Sequence, residues 1–207
     1  ALAEPQEYRS STYAFQRGDL LQFDTGVKYL NFGTDMKRNA YLLREDETAL
    51  PEDIRHAWDE GRRARDIMRR NIRTGRTARE TLAAVVAALE AEGFVYTPFV
   101  NFGEIDRQIV ESFDQPSVTG ISIDCHVVGN TGNSQVAVGP SFAPFRELRA
   151  NLMIQSNNIF SFEFITHTAL PSFGDQRLRI NFEDNVIVTN QGVELLYPRN
   201  ERILLIR

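Results

Sequence analysis

Hydrophobic alternation is most regular between Ile159 and Thr189. Two strand-like runs, Ile159–Thr168 and Gln176–Thr189, flank a turn at Pro171–Gly174. A strand turns successive side chains to opposite faces. On the first run Phe160, Phe162 and Phe164 therefore share one face, and Ser161, Glu163 and His167 share the other. On the second, Leu178, Ile180 and Phe182 oppose Arg179, Asn181 and Glu183. Each strand has an apolar side for a core and sets one carboxylate on the opposite side. A carboxylate in so apolar a segment is costly to desolvate unless something positive meets it. If the strands are neighbours, a metal ion could serve both carboxylates. An ordinary solvated sheet face is the alternative for these two glutamates.

Alternation also predicts strands at Asp19–Val27 and Thr34–Leu43, joined by an enlarged hairpin loop containing Asn31 and Gly33. Leu20, Gln22 and Asp24 share one face of the first strand, with Leu21 and Phe23 on the other. Asp35, Lys37, Asn39 and Tyr41 share a face of the second. The hairpin would bring Asp24 and Asp35 close together. Turn chemistry is the other reason for Asp at strand ends, but Asp24 directly follows an apolar run.

The period then becomes helical. Ile54, Trp58, Gly61, Ala64, Met68 and Ile72 mark a helix that starts near Pro51 and stops at Gly75. Thr77 and Glu80 have capping-box spacing for a second helix, which carries Leu82, Val85, Val86 and Leu89 to Gly93. Residues 94–118 are mixed, interrupted by Pro98 and Pro116. Gly120–Val128 alternates as a strand, a turn-rich segment follows, and Val193–Leu196 predicts a short last strand. A strand pair, two helices and a run of strands make an α+β chain, with helices packed on one face of a mainly antiparallel sheet.

Composition narrows the function classes. The 207 residues suit one domain with room for two similar halves, and 42% apolar residues can build a sizeable core. Residues 1–17 read as an irregular segment before a domain at 18–207. The net charge of -5 argues against a general nucleic-acid or anionic-membrane binder. The arginines of the first helix, Arg55, Arg62, Arg63, Arg65, Arg69, Arg70 and Arg73, read as a solvated face opposite the apolar stripe. The single Cys125 cannot form an internal disulfide and suits a reducing cytoplasm. No apolar run is long enough to span a bilayer.

The isolated acids and one imidazole form a set: Asp24, Asp35, His126, Glu163 and Glu183. Oxygen ligands with one nitrogen suit Mn, Co, Fe or Zn. Two such ions close together lower the pKa of water and polarise a carbonyl.

At these residues the sequence resembles the pita-bread metallopeptidases: methionine aminopeptidase, Xaa-Pro aminopeptidase, prolidase and the creatinase-like enzymes. The segment from Gly18 to Gly26 resembles the family's first-aspartate strand. Phe32 to Arg38 resembles its second, with Asp24 and Asp35 eleven positions apart. Phe160–Glu163 resembles the first glutamate strand. Asn181–Thr189, followed by Gly192, Val193 and Glu194, resembles the second. For the histidine, His126 with Gly129 matches the family's His-x-x-Gly ligand motif. The competing alignment would leave Thr119 as the ligand, and Thr is a poor substitute for imidazole.

The resemblance implies a pita-bread fold, a curved sheet with helices on its outer face, here without the family's N-terminal helices. It implies a homodimer acting on a peptide substrate with two divalent ions (Mn, Co, Zn or Fe). Asp24 would hold one ion, His126 and Glu163 the other, and Asp35 and Glu183 would bridge. Glu163 would double as general base. His167 would orient substrate or stabilise the tetrahedral intermediate, with Asn133 and Arg179 on the substrate side. The chain departs from the family at Asn133, where a histidine is usual, and at Asn181, where an arginine is frequent. Hydrolysis of short peptides at Xaa-Pro bonds is the implied activity. A creatinase-like non-peptide hydrolase, or a binding domain that keeps the fold, are the alternatives.

Overall fold

The computed structural model describes residues 12–98, 118–130, 139–144, 146–174 and 176–207. In chain order these form β1 (Leu20–Thr25), β2 (Lys28–Tyr29), β3 (Phe32–Gly33), β4 (Met36–Leu42), α1 (Glu52–Asn71), α2 (Ala78–Ala91) and β5 (Val95–Tyr96). There follow β6 (Gly120–Ile123), β7 (His126–Val127), β8 (Gly129–Asn130), α3 (Glu147–Ala150), β9 (Ile159–Leu170), β10 (Gln176–Thr189), β11 (Gly192–Leu195) and β12 (Leu204–Ile206). The main sheet runs β1-β4-β10-β9-β6-β5, and off this path β7, β11 and β12 pair with β9, β10 and β4. Pairing is antiparallel except at β5–β6 and β4–β12.

The central hairpin follows the sequence pattern. β10 pairs with β9 along the whole of β9, from Ile187 opposite Ile159 to Gln176 opposite Leu170. The turn between them is a short 3-10 segment that ends on Gly174 in the left-handed region at φ 67°. The apolar face packs on α1. Phe164 stacks on Phe182 with centroids 5.0 Å apart, and Phe182 stacks on Trp58 of α1 at 4.5 Å. Such aromatic pairs contribute about 0.5–1.5 kcal/mol each beyond the area they bury. Gly61 lets the helix come down on that stack. α2 begins at the capping box foreseen from Thr77 and Glu80, with both reciprocal hydrogen bonds made.

Five features differ from the sequence pattern. The second strand starts at Met36, so Asp35 lies just outside it. The loop before it folds as a small hairpin of β2 and β3, turned by Leu30 and Asn31 at positive φ. Gly120–Val127 is interrupted at Asp124–Cys125, yet its register on β9 is unbroken from Gly120 opposite His167 to Val127 opposite Phe160. β12 adds a parallel strand beside β4, for which local alternation gave no signal. Arg65 is not on a solvated face: it is 1% exposed, and its guanidinium donates to the Asn200 carbonyl.

Candidate metal centre

Strand register assembles the site on the sheet face opposite α1. Asp24 lies opposite Lys37, Lys37 opposite Glu183, and Glu183 opposite Glu163. One transverse row across β1, β4, β10 and β9 therefore carries an acid, a base and two acids. His126 joins from β7, opposite Ser161 and one step along the same face. Asp35 is held by Asn185 of β10, whose amide oxygen accepts from the Asp35 N–H at 3.1 Å while its Nδ2 donates to the Asp35 carbonyl at 2.6 Å.

Lys37 is at the middle of the cluster. Its Nζ stands 2.6 Å from Glu163 Oε1, 2.6 Å from Glu183 Oε2 and 3.3 Å from Asp24 Oδ2. Ser161 donates its hydroxyl to the other oxygen of Glu183. On the far side, His126 Nε2 lies 3.7 Å from Asp35 Oδ2 and 3.6 Å from Glu163 Oε2. Asp35, His126 and Glu183 each offer a ligand atom, all within 4.8 Å of one another. Bonds to a divalent ion run at about 2.0–2.2 Å, so a small inward shift would close this set around one ion.

Burial and mutual charge set the protonation states. Glu183 is pushed up to about 7, by burial first and then by the charge of Glu163, against the pull of Lys37. Glu163 goes the other way: burial raises it, but His126 and Lys37 outweigh burial and hold it below the usual range. Two carboxylates facing each other across a ladder and sharing one ammonium divide in this manner. Asp35 is raised, chiefly by burial. Burial alone would lower His126, yet its carboxylate neighbours, Glu163 foremost, raise it. Lys37 is likewise lowered by burial and raised further by Glu163 and Glu183, so it stays charged.

The structure thus brings Asp35, His126, Glu163 and Glu183 together. Asp24 stands at the rim, with its side chain 65% exposed and turned to Lys37. His126, rather than Thr119, reaches the acids; the Thr119 hydroxyl pairs with that of Thr168. His167 is on the same face of β9 but further along, opposite Arg179. It is buried, and its Nε2 has no hydrogen-bond partner among the described residues. Burial, then Arg179 and Arg177, push its pKa down to about 3, so the ring is neutral at working pH. Arg179 Nε donates to the Asn181 side chain at 3.2 Å. Asn133 lies outside the described residues.

Three residues had no assigned role in the sequence pattern: Lys37, Ser161 and Asn185. Alternation does put Lys37 on the face of Asp35 and Ser161 on that of Glu163. A basic residue two positions from Asp35 in an otherwise acidic set is the signal that was there to find. Asn185 carries none, because its partner is 150 positions away.

The model of metallopeptidase family M24 matches residues 3–190. No curated protein sequence matches the chain. Among solved structures, the fold is similar to that of an X-Pro aminopeptidase from Thermotoga maritima, at 17% identity and a TM-score of 0.59, over 92% of this chain and 43% of that one. It is similar to a prolidase from Thermococcus sibiricus at 15% identity and 0.60, over 97% and 43%. It is also similar to an Xaa-Pro dipeptidase from Bacillus anthracis at 16% identity and 0.59, over 95% and 44%. The chain spans less than half the length of each of these three.

Proposed function

The chain belongs to metallopeptidase family M24 and has its pita-bread fold, and from that premise we propose that it carries the metal centre of an enzyme hydrolysing short peptides at Xaa-Pro bonds. The observation that carries the reading is the convergence of Asp35, His126 and Glu183, with ligand atoms inside 4.8 Å, beside the ionised Glu163. The Xaa-Pro preference is supported by the names of the similar structures, an X-Pro aminopeptidase, a prolidase and an Xaa-Pro dipeptidase. A homodimer and a cytoplasmic location belong to the same reading, the first from the family resemblance, the second from the single buried Cys125.

Asp35, His126 and Glu183 would hold a divalent ion of the Mn, Co, Zn or Fe kind, an oxygen-rich set with one nitrogen. Such an ion supplies Lewis-acid polarisation of the scissile carbonyl and lowers the pKa of water. The chain's own residues then have distinct parts. Glu163, kept ionised between His126 and Lys37, accepts the proton of the attacking water as general base. His167, neutral and with an Nε2 that has no partner among the described residues, offers one hydrogen bond to the substrate or the tetrahedral intermediate. Arg179 and Asn133 are assigned to the substrate side by the family resemblance alone. The number of ions is a separate matter and turns on Lys37.

The test combines metal content with a peptide panel. Protein stripped by a chelator is reloaded with Mn, Co or Zn and analysed for bound metal, then offered Xaa-Pro and Xaa-Ala dipeptides. The expected result is retained metal, lost in Asp35→Asn, with cleavage biased to Xaa-Pro. Bound metal with turnover of non-peptide C–N bonds alone would move the reading to a creatinase-like hydrolase. Absence of both metal and turnover would leave a binding domain that keeps the fold.

A further inference from the structure

We propose that the Lys37 ammonium is a built-in cation filling one of the two cation positions of the acid cluster, so that the site takes a single divalent ion, at Asp35, His126 and Glu183. The inference rests on reading the cluster as a metal centre. It departs from the two-ion expectation drawn from the ligand set.

The geometry is that of a coordination site with nitrogen at its centre. An ammonium has three N–H donors and no acceptor. Lys37 Nζ faces three carboxylates, Glu163 and Glu183 at 2.6 Å and Asp24 at 3.3 Å. Two donors are taken up in hydrogen bonds to Glu163 and Glu183, and Asp24 completes the ring of carboxylates as an ion pair. An ion bonded to the same oxygens at about 2.0–2.2 Å would sit almost on top of the nitrogen. The two cations cannot share that space. The Asp24 and Glu163 side of the cluster is thus already satisfied, and what remains open to an ion is the Asp35, His126 and Glu183 side.

Lys37 is also poorly placed to leave. Its backbone is paired on both sides, to Asp24 of β1 and to Glu183 of β10. Its side chain is 9% exposed, and those of Glu163 and Glu183 are 6% and 0%. Withdrawing the ammonium would strand two buried carboxylates face to face across the β9–β10 ladder, a costly arrangement unless another cation enters. At that position lysine and metal are therefore mutually exclusive, while the Asp35, His126 and Glu183 position takes its ion with Lys37 in place.

Metal stoichiometry distinguishes the cases. The full chain is stripped, titrated with Mn or Zn by calorimetry, and checked by elemental analysis, alongside Lys37→Met and the double variant Lys37→Met/Asp24→Asn. Melting transitions with and without metal establish that each variant folds. The wild type should bind about one ion, Lys37→Met about two, and the double variant about one again. Without metal, Lys37→Met should melt lower than the wild type, and added metal should raise its melting temperature by more than it raises that of the wild type. Two ions in the wild type overturn the inference and leave the metal-centre reading intact; this arm needs no variant to fold. One ion in both wild type and Lys37→Met also overturns it. No ion in the wild type overturns the metal-centre reading and the inference together.

Discussion

Gly61 of α1 lies directly over the ring of Phe182 on β10: a Cβ at position 61 would overlap Cε2 and Cζ of that ring. Phe182 is the residue next to Glu183, and it is stacked between Trp58 and Phe164. The closeness of helix and sheet at this point therefore fixes the strand that presents the central carboxylate. Gly61→Ala should destabilise the fold by about 1–3 kcal/mol through overpacking, although alanine is the better helix former by about 1 kcal/mol. Urea unfolding measures the loss. Phe182→Leu in the same chain should recover part of it, and strict additivity of the two changes would mean that the contact is not the cause.

Asn185 clamps the backbone of Asp35 from both sides, and Asp35 lies just outside β4 with no ladder of its own to hold it. Asn185→Ala should lower metal affinity by about 10–100-fold, the usual scale for a residue that orients a ligand. Calorimetric titration of the stripped protein reads this directly. An unchanged affinity would show that Asp35 needs no such support.

Glu163→Gln keeps the shape of the side chain and its contact with Lys37 while removing the ability to accept a proton. Peptide hydrolysis should fall by about 10²–10⁴-fold, the range for a lost general base, and the melting transition should still report a folded protein. Undiminished turnover would remove Glu163 from the mechanism.

His167 gives the fold a pH dependence of defined sign. Its pKa is lowered to about 3 by burial and by Arg179 and Arg177. Between that value and the unfolded value of about 6.5 the unfolded chain binds the extra proton and the folded chain does not, so stability falls as pH drops through this window. The effect of this one residue is of order a few kcal/mol. Unfolding free energies measured from pH 7 to 4 should fall less steeply in His167→Gln than in the wild type. Equal slopes would place the origin of the acid sensitivity elsewhere.

Much of the site was legible because it is written in strand alternation. Glu163 and Glu183 occupy the polar face of otherwise apolar strands, and the 3-D register sets them opposite each other. The capping box at Thr77 and the stripe from Ile54 to Ile72 are local signals and appear as read. Arg65 was not legible: its helical position reads as surface, and it is buried because the segment at Asn200 and Glu201 folds over it. β12 escaped for the same kind of reason, since a short parallel edge strand gains its stability from β4 and not from its own pattern.

The sequence by itself determined, Arg65 apart, which residues of each strand and helix share a face and where carboxylates and an imidazole stand on the polar faces, because periodicity and side-chain chemistry are local properties. Only the tertiary structure decided what stands between the acids. The sequence shows Lys37 as one polar residue on the Asp35 face; the register of β1, β4, β10 and β9 makes it the hub of three carboxylates. That outcome depends on distances between atoms up to 146 positions apart in the chain, and buried charges are governed by such distances, which no local pattern encodes.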